Sequence, residues 1–167
     1  MVARFGDAPE PGVRERVAIA LVNKGAVSAR QGDIAATLPA WERALELSRG
    51  AADETLTVVA ISLATLAAFD GGLDRAGQLL KLAEENGLEH AEAYATALST
   101  DFDKRQVAVG SLKEALEDSD ALNFLGIAAI ADGQRDAARD YWSRSAELGD
   151  AVAPLLLAVT SPDASAS

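Results

Sequence analysis

The sequence predicts an all-α protein built from antiparallel helix pairs, and three observations carry that prediction. Nearly every long segment is rich in Ala, Leu and Glu, with apolar residues at helical spacing, as in Leu38, Trp41, Ala44 and Leu45 or in Leu79, Leu82 and Ala83. Chain-reversing and capping residues end these runs at Gly32 and Asp33, Gly71 and Gly72, Gly87, residues 101–103, Gly133, and Gly149 and Asp150. Apolar residues make up 49% and charged residues 25% of 167 residues, which suits one folded domain with a sizeable core and argues against wholesale disorder.

The elements follow from this punctuation. A first helix over 13–30 begins after the Pro9 and Pro11 breaks and stops before Gly32; a second over 33–48 opens on Asp33. The run 53–69 is almost free of charge and ends before Gly71, and 73–86 is amphipathic and ends before Gly87. Shorter helices over 89–99 and 103–117 flank the Asp101 and Asp103 stretch, where an aspartate caps the second of them. The spans 119–131 and 134–148 meet at Gly133, and 150–159 follows Gly149 before Pro162 halts regular structure.

Charge and composition narrow the function classes. Lys and Arg number 15 against 26 Asp and Glu, a net charge of −11 that disfavours nonspecific binding to nucleic acid or anionic lipid. There is no cysteine, which removes disulfides, thiolate nucleophiles, iron–sulfur ligation and the usual structural zinc sites. The N-terminus carries no apolar signal core, and the longest charge-free run of interest, 56–69, is short of the roughly 20 residues that span a bilayer. A cytoplasmic protein without a membrane segment is the expectation, with a frayed tail over 160–167.

Self-comparison reveals a repeat. Gly25, Gly32 and Trp41 recur as Gly126, Gly133 and Trp142 at identical spacing, so a small residue is followed seven later by a turn glycine and sixteen later by a tryptophan. Ala64, Gly71, Ala76, Leu80 and Ala83 fit the same frame; Ala108, Leu112 and Ala115 keep part of it. These residues resemble the tetratricopeptide repeat, a helix–turn–helix unit of about 34 residues, and the ending Ser145-Ala146-Glu147-Leu148-Gly149-Asp150 is similar to its Sel1-like relatives.

That resemblance implies a right-handed superhelical α-solenoid of about four helix pairs, with repeats over 13–50, 51–87, 88–117 and 118–149 and a capping helix over 150–159. It implies that Gly25 and Gly126 admit a closely packed partner helix and that Trp41 and Trp142 wedge against the next repeat. Residues 1–12 then read as a linker or the end of a preceding repeat. Thr37 and Ser145 depart from the alanine the family uses, and the third repeat is degenerate.

Catalytic chemistry needs a nucleophile with a base, paired carboxylates in a cleft, a metal cluster or a cofactor loop. None appears with useful spacing. His90 is the only histidine, the Asp101 and Asp103 pair lacks the other oxygen ligands of a calcium loop, and the Gly71-Gly72 pair matches no phosphate-binding pattern. We therefore expect no enzyme activity, cofactor or metal.

In the repeat frame the first helix of each pair lines the concave surface. The resemblance places Ile19, Val22, Ala26, Val58, Ile61, Thr65, Phe69, Ala93, Ala97, Asn123, Ile127 and Ile130 there, with Val22, Ile61, Phe69 and Ile127 as principal anchors. Charge concentrates on the second helices, and Glu89, Glu92, Asp118 and Asp120 form acidic rims. The expected function is a non-catalytic interaction module that holds an amphipathic helix or apolar peptide with basic flanks, or a second copy of itself as a homodimer. The same apolar residues would instead complete a closed core if the array curls or its last helix folds back. The family's carboxylate-binding clamp is not expected: Asn23 occupies one of its positions, but Val22, Ala26 and Ser62 replace the basic companions. Two further readings are a structural or oligomerisation segment of a larger multi-repeat bacterial protein, and a regulatory sensor domain attached to an enzyme outside this chain.

Overall fold

The computed structural model describes residues 10–50 and 54–162. Residues 1–9 of the linker expected over 1–12, residues 51–53 at the start of the second repeat and residues 163–167 of the tail expected over 160–167 lie outside the described residues. The described residues form nine helices and no strand: α1 (Pro11–Arg30), α2 (Ile34–Ser48), α3 (Glu54–Phe69), α4 (Leu73–Glu85), α5 (Ala91–Ala97), α6 (Phe102–Leu112), α7 (Ser119–Ala131), α8 (Arg135–Glu147) and α9 (Ala153–Val159).

Helix boundaries follow local chemistry. Pro11 and Gly12, expected in the linker, instead open α1, because proline at the first helical position loses no needed N–H. Five helices end on one motif. The glycine N–H at 32, 71, 87, 133 or 149 bonds the carbonyl three residues back, and the next N–H bonds the carbonyl five back, as in Gln134 to Ala129 at 2.8 Å. All five glycines have positive φ, for instance +75° at both Gly32 and Gly133, which is the left-handed cap that glycine adopts without a Cβ penalty. The helix expected over 103–117 stops at Leu112. Glu114 and Ala115 bond only three residues back, to Ser111 and Leu112, so the chain tightens into turns that deliver Asp118 to the start of α7.

The most extensive packing runs within the pairs α1 with α2, α3 with α4, α5 with α6 and α7 with α8. In the first and last pairs the seam is a tryptophan over a glycine. Trp41 and Trp142 are 2% and 0% exposed, and a Cβ on Gly25 or Gly126 would collide with the respective indole. Each indole N–H donates at 3.2 Å to a backbone carbonyl of the facing helix, Trp41 to Val22 and Trp142 to Asn123, so neither buried donor is left unpaired.

The pairs do not lie in a simple row. α7 packs on α3, α5 and α6, and Trp142 sets its ring edge-to-face with Phe69 of α3 at 5.7 Å. α9 packs on both α8 and α1, and Arg30 of α1 donates to the Gly149 carbonyl ahead of α9 at 3.5 Å. The last helix thus touches the first, and Leu155 and Leu156, nearly unexposed, belong to the common core. No helix among the described residues is long and apolar enough to cross a membrane.

Candidate functional site

Two regions combine exposure with uncommon chemistry: an apolar depression on either side of Phe69, and a cluster of carboxylates at the start of α7.

The residues expected along a concave groove divide by burial. Ile61, Thr65, Ala97, Asn123 and Ile127 are buried; Val22, Ala26, Phe69, Ala93 and Ile130 are half-buried; Ile19 and Val58 are exposed. Burial of α3 and α7 on nearly all sides is the consequence of their apolar composition: α7 has nine successive buried residues, Ala121 through Ala129. Thr65 tolerates this because its hydroxyl donates to the Ile61 carbonyl at 2.8 Å.

Phe69 is the residue at which the remaining apolar surface converges. On one side, Phe69, Leu73, Leu98, Ile127 and Ile130 line a depression of about 360 Å³ between α3, α5 and α7, with Arg105 at its wall. On the other, Phe69, Leu38, Leu63, Leu66, Leu155 and Leu156 line one of about 560 Å³ between α2, α3 and α9. Ile34 and Val159 stand at the rim of the second, 42% and 46% exposed, beside Asp70 and the Arg75–Glu42 ion pair at 2.6 Å. The α9 and α2 contributions are absent from the groove expected from the sequence. A signal existed in Leu155-Leu156-Leu157, which makes a short helix apolar on every side and so demands cover from more than one neighbour.

The second region is polar. Asp118 caps α7, its Oδ1 accepting from the Asp120 N–H at 2.9 Å, and its Oδ2 accepts the Tyr94 hydroxyl at 3.1 Å. Tyr94 is buried and stacks on Phe124 at 4.8 Å; burial first, then the Asp118 and Asp120 charges, push its pKa up. Asp150 Oδ2 accepts from the Val152 and Ala153 N–H groups and from Asn123 Nδ2, at 2.9, 2.7 and 3.0 Å. Burial raises the Asp150 pKa, against those three donors and Arg30, which lower it. Asp120 is pushed up to about 7 by burial, then by the charges of Asp118 and Asp150. Asn123, expected along the groove, bonds Asp150 through Nδ2, while its buried Oδ1 has no partner among the described residues.

A third polar feature is structural. Arg105, 7% exposed on α6, forms an ion pair with Asp132, donates to the Ser99 carbonyl at 2.7 Å and lies over Phe102. Gln106 bonds the other Asp132 oxygen at 2.7 Å. His90 is exposed at the α4–α5 turn with φ +64°. Comparison of the chain with protein-family models, with curated proteins and with solved structures finds no match.

Proposed function

We propose that this chain is a non-catalytic protein-interaction module, its helix pairs stacked in the tetratricopeptide-like manner, and that it holds an amphipathic helix or apolar segment of a partner protein. The observation that carries this reading is the apolar depression between α2, α3 and α9, rimmed by exposed Ile34 and Val159. Burying large aliphatic side chains such as these contributes roughly 1.5–3 kcal/mol each, so a few anchors supply useful affinity. Asp70 at the rim, within a chain of net charge −11, favours a segment with basic flanks.

The test is fluorescence anisotropy with a panel of labelled amphipathic helical peptides carrying basic flanks, against sequence-scrambled controls. Saturable binding that Ile34→Glu and Val159→Glu both abolish, with helicity and melting temperature unchanged, supports the reading. Equal binding by the variants overturns it. Light scattering belongs alongside: a concentration-dependent dimer that Ile34→Glu dissociates would assign the depression to a second copy of the chain and favour the oligomerisation reading instead.

A further inference from the structure

We propose that the cavity between the start of α1 and the end of α2 binds a phosphate monoester, with the guanidinium groups of Arg14 and Arg49 and the hydroxyl of Ser48 as its donors. The cavity has a volume of about 400 Å³ and is lined by Pro11, Arg14 and Glu15 from α1 and by Leu47, Ser48 and Arg49 at the end of α2. The arginines of the chain divide by partner. Arg43, Arg75, Arg105 and Arg144 each pair with a carboxylate, and Arg30, Arg135 and Arg139 donate to backbone carbonyls. Among the described residues, only the guanidinium groups of Arg14, Arg16 and Arg49 do neither, although the chain carries 26 Asp and Glu against 15 Lys and Arg. Two of those three line this one cavity.

Ser48 points to a ligand independently. It is 2% exposed, and its Oγ has no hydrogen-bond partner among the described residues. The other buried hydroxyls described, those of Thr37, Thr65, Ser145 and Thr160, each donate to a backbone carbonyl, so an unused one is the exception. The antiparallel register of α1 and α2 fixes what Ser48 faces. Thr37 donates to the Gly25 carbonyl and Trp41 to the Val22 carbonyl, so the seam runs back along α1 as it runs forward along α2. Ser48 follows Trp41 by about two helical turns, which places it across from Arg14 and Glu15 in the wall of the same cavity.

These donors select a tetrahedral oxyanion. Two guanidinium forks and a hydroxyl offer more hydrogens than the two oxygens of a carboxylate use well, whereas a phosphate group presents three acceptor oxygens. The positive end of the α1 dipole adds to them: Pro11 opens the helix, no acidic residue occupies its first turn, and the Glu10 side chain accepts no hydrogen bond from it. The volume favours an ester over the bare ion, because about 400 Å³ is the size of a small-molecule pocket and far more than one phosphate group fills. Pro11 and Leu47 supply apolar wall for the remainder of the molecule. Glu15 opposes the anion, since its carboxylate offsets one guanidinium, so its removal strengthens binding. The cavity shares no lining residue with either apolar depression, and neither proposal depends on the other.

The experiment is a titration of the ¹⁵N-labelled chain followed by NMR at constant ionic strength. The Gly50 amide and the Arg14 and Arg49 Nε–H groups are the reporters, and the Trp142 indole in the α7–α8 seam is the control. The probes are Nα-acetyl-O-phosphoserine amide, phenyl phosphate, inorganic phosphate and acetate. We expect saturable shifts at the reporters with the two esters, none at Trp142, and weaker binding of inorganic phosphate. Arg14→Gln and Arg49→Gln should each weaken binding about tenfold, Ser48→Ala should weaken it about threefold, and Glu15→Gln should tighten it about threefold. Tighter binding of the phosphoserine amide than of phenyl phosphate assigns the source to a partner's phosphorylated side chain, and the reverse assigns it to a phosphorylated small molecule. No saturable shift up to about 50 mM of either ester, saturation by acetate or inorganic phosphate as tight as by the esters, or affinity unchanged in both arginine variants overturns the proposal. Affinity unchanged in Ser48→Ala overturns the part given to its hydroxyl. Arg14, Glu15 and Arg49 are exposed, with side chains unpaired among the described residues, and Ser48→Ala removes a hydroxyl that bonds nothing, so the variants fold and their results are readable.

Discussion

Trp142 and Gly126 are fitted to each other across the α7–α8 seam: the indole occupies the space that a Cβ on Gly126 would need, and its N–H bonds the Asn123 carbonyl at 3.2 Å. Trp41 and Gly25 repeat the arrangement across α1 and α2. In the second pair the positions at the same offset are Ala64 and Leu80, both fully buried, so a larger residue on one helix accompanies a smaller one on the other.

This fit gives a pair of opposed expectations. Gly126→Ala overpacks the seam and should destabilise by about 1–3 kcal/mol or more, because the indole cannot retreat without breaking its hydrogen bond. Trp142→Ala empties it and should cost roughly 3–5 kcal/mol. Chemical denaturation of each variant measures both. A melting curve for Gly126→Ala equal to that of the parent would contradict the seam as described.

Much of the fold was legible in the sequence because two signals coincide: helical spacing of apolar residues and glycines that must adopt positive φ. Gly32, Gly71 and Gly133 mark turns in three pairs for that reason. The third pair was less legible, since its turn uses Asp101 and its second helix gives way to turns after Leu112 with no glycine to announce it. The candidate site was harder still. Helices apolar all round, such as α3 and α7, have the same sequence whether a partner or the chain's own α9 covers them. The carboxylate cluster needs three dimensions: Asp118 and Asp120 meet Asp150 only because α8 returns the chain alongside α7.

Arg105 is a second point where one substitution should matter. Its guanidinium joins Asp132 and the Ser99 carbonyl almost out of solvent, so Arg105→Met strands both partners. Removing one member of a buried pair costs about 3–5 kcal/mol, against well under 1 kcal/mol for an exposed pair such as Arg43–Glu46. Thermal melts of Arg105→Met and Arg43→Met should differ accordingly, and Arg105→Met combined with Asp132→Leu should recover part of the loss.

His90 offers a stabilising change. It is the non-glycine residue with positive φ among those described, it is exposed, and its side chain caps nothing. The left-handed region costs a residue with a Cβ about 1–2 kcal/mol, while glycine adds unfolded-state entropy worth about 0.4–1 kcal/mol. His90→Gly should therefore gain about 0.5–1 kcal/mol and raise the melting temperature by roughly 1–4 °C at this chain length. A fall in melting temperature would mean that the imidazole makes a contact of its own.

Asp120 has a folded-state pKa of about 7 against an ordinary value of 3.8, so between those limits the folded chain binds a proton that the unfolded chain has released. Stability from this group is therefore complete below about pH 4 and falls as pH rises through 7, the reverse of a salt-bridged carboxylate. The loss is on the order of 2–4 kcal/mol if the group stays as buried as it is here. Burial of Asp150, whose pKa is also raised, acts in the same direction. Asp120→Asn holds the neutral form at every pH, so its melting temperature should exceed the parent's at pH 8 and converge with it only below about pH 4. Differential scanning calorimetry of the two chains across that range measures the difference directly, and parallel pH profiles would show that Asp120 ionises without strain.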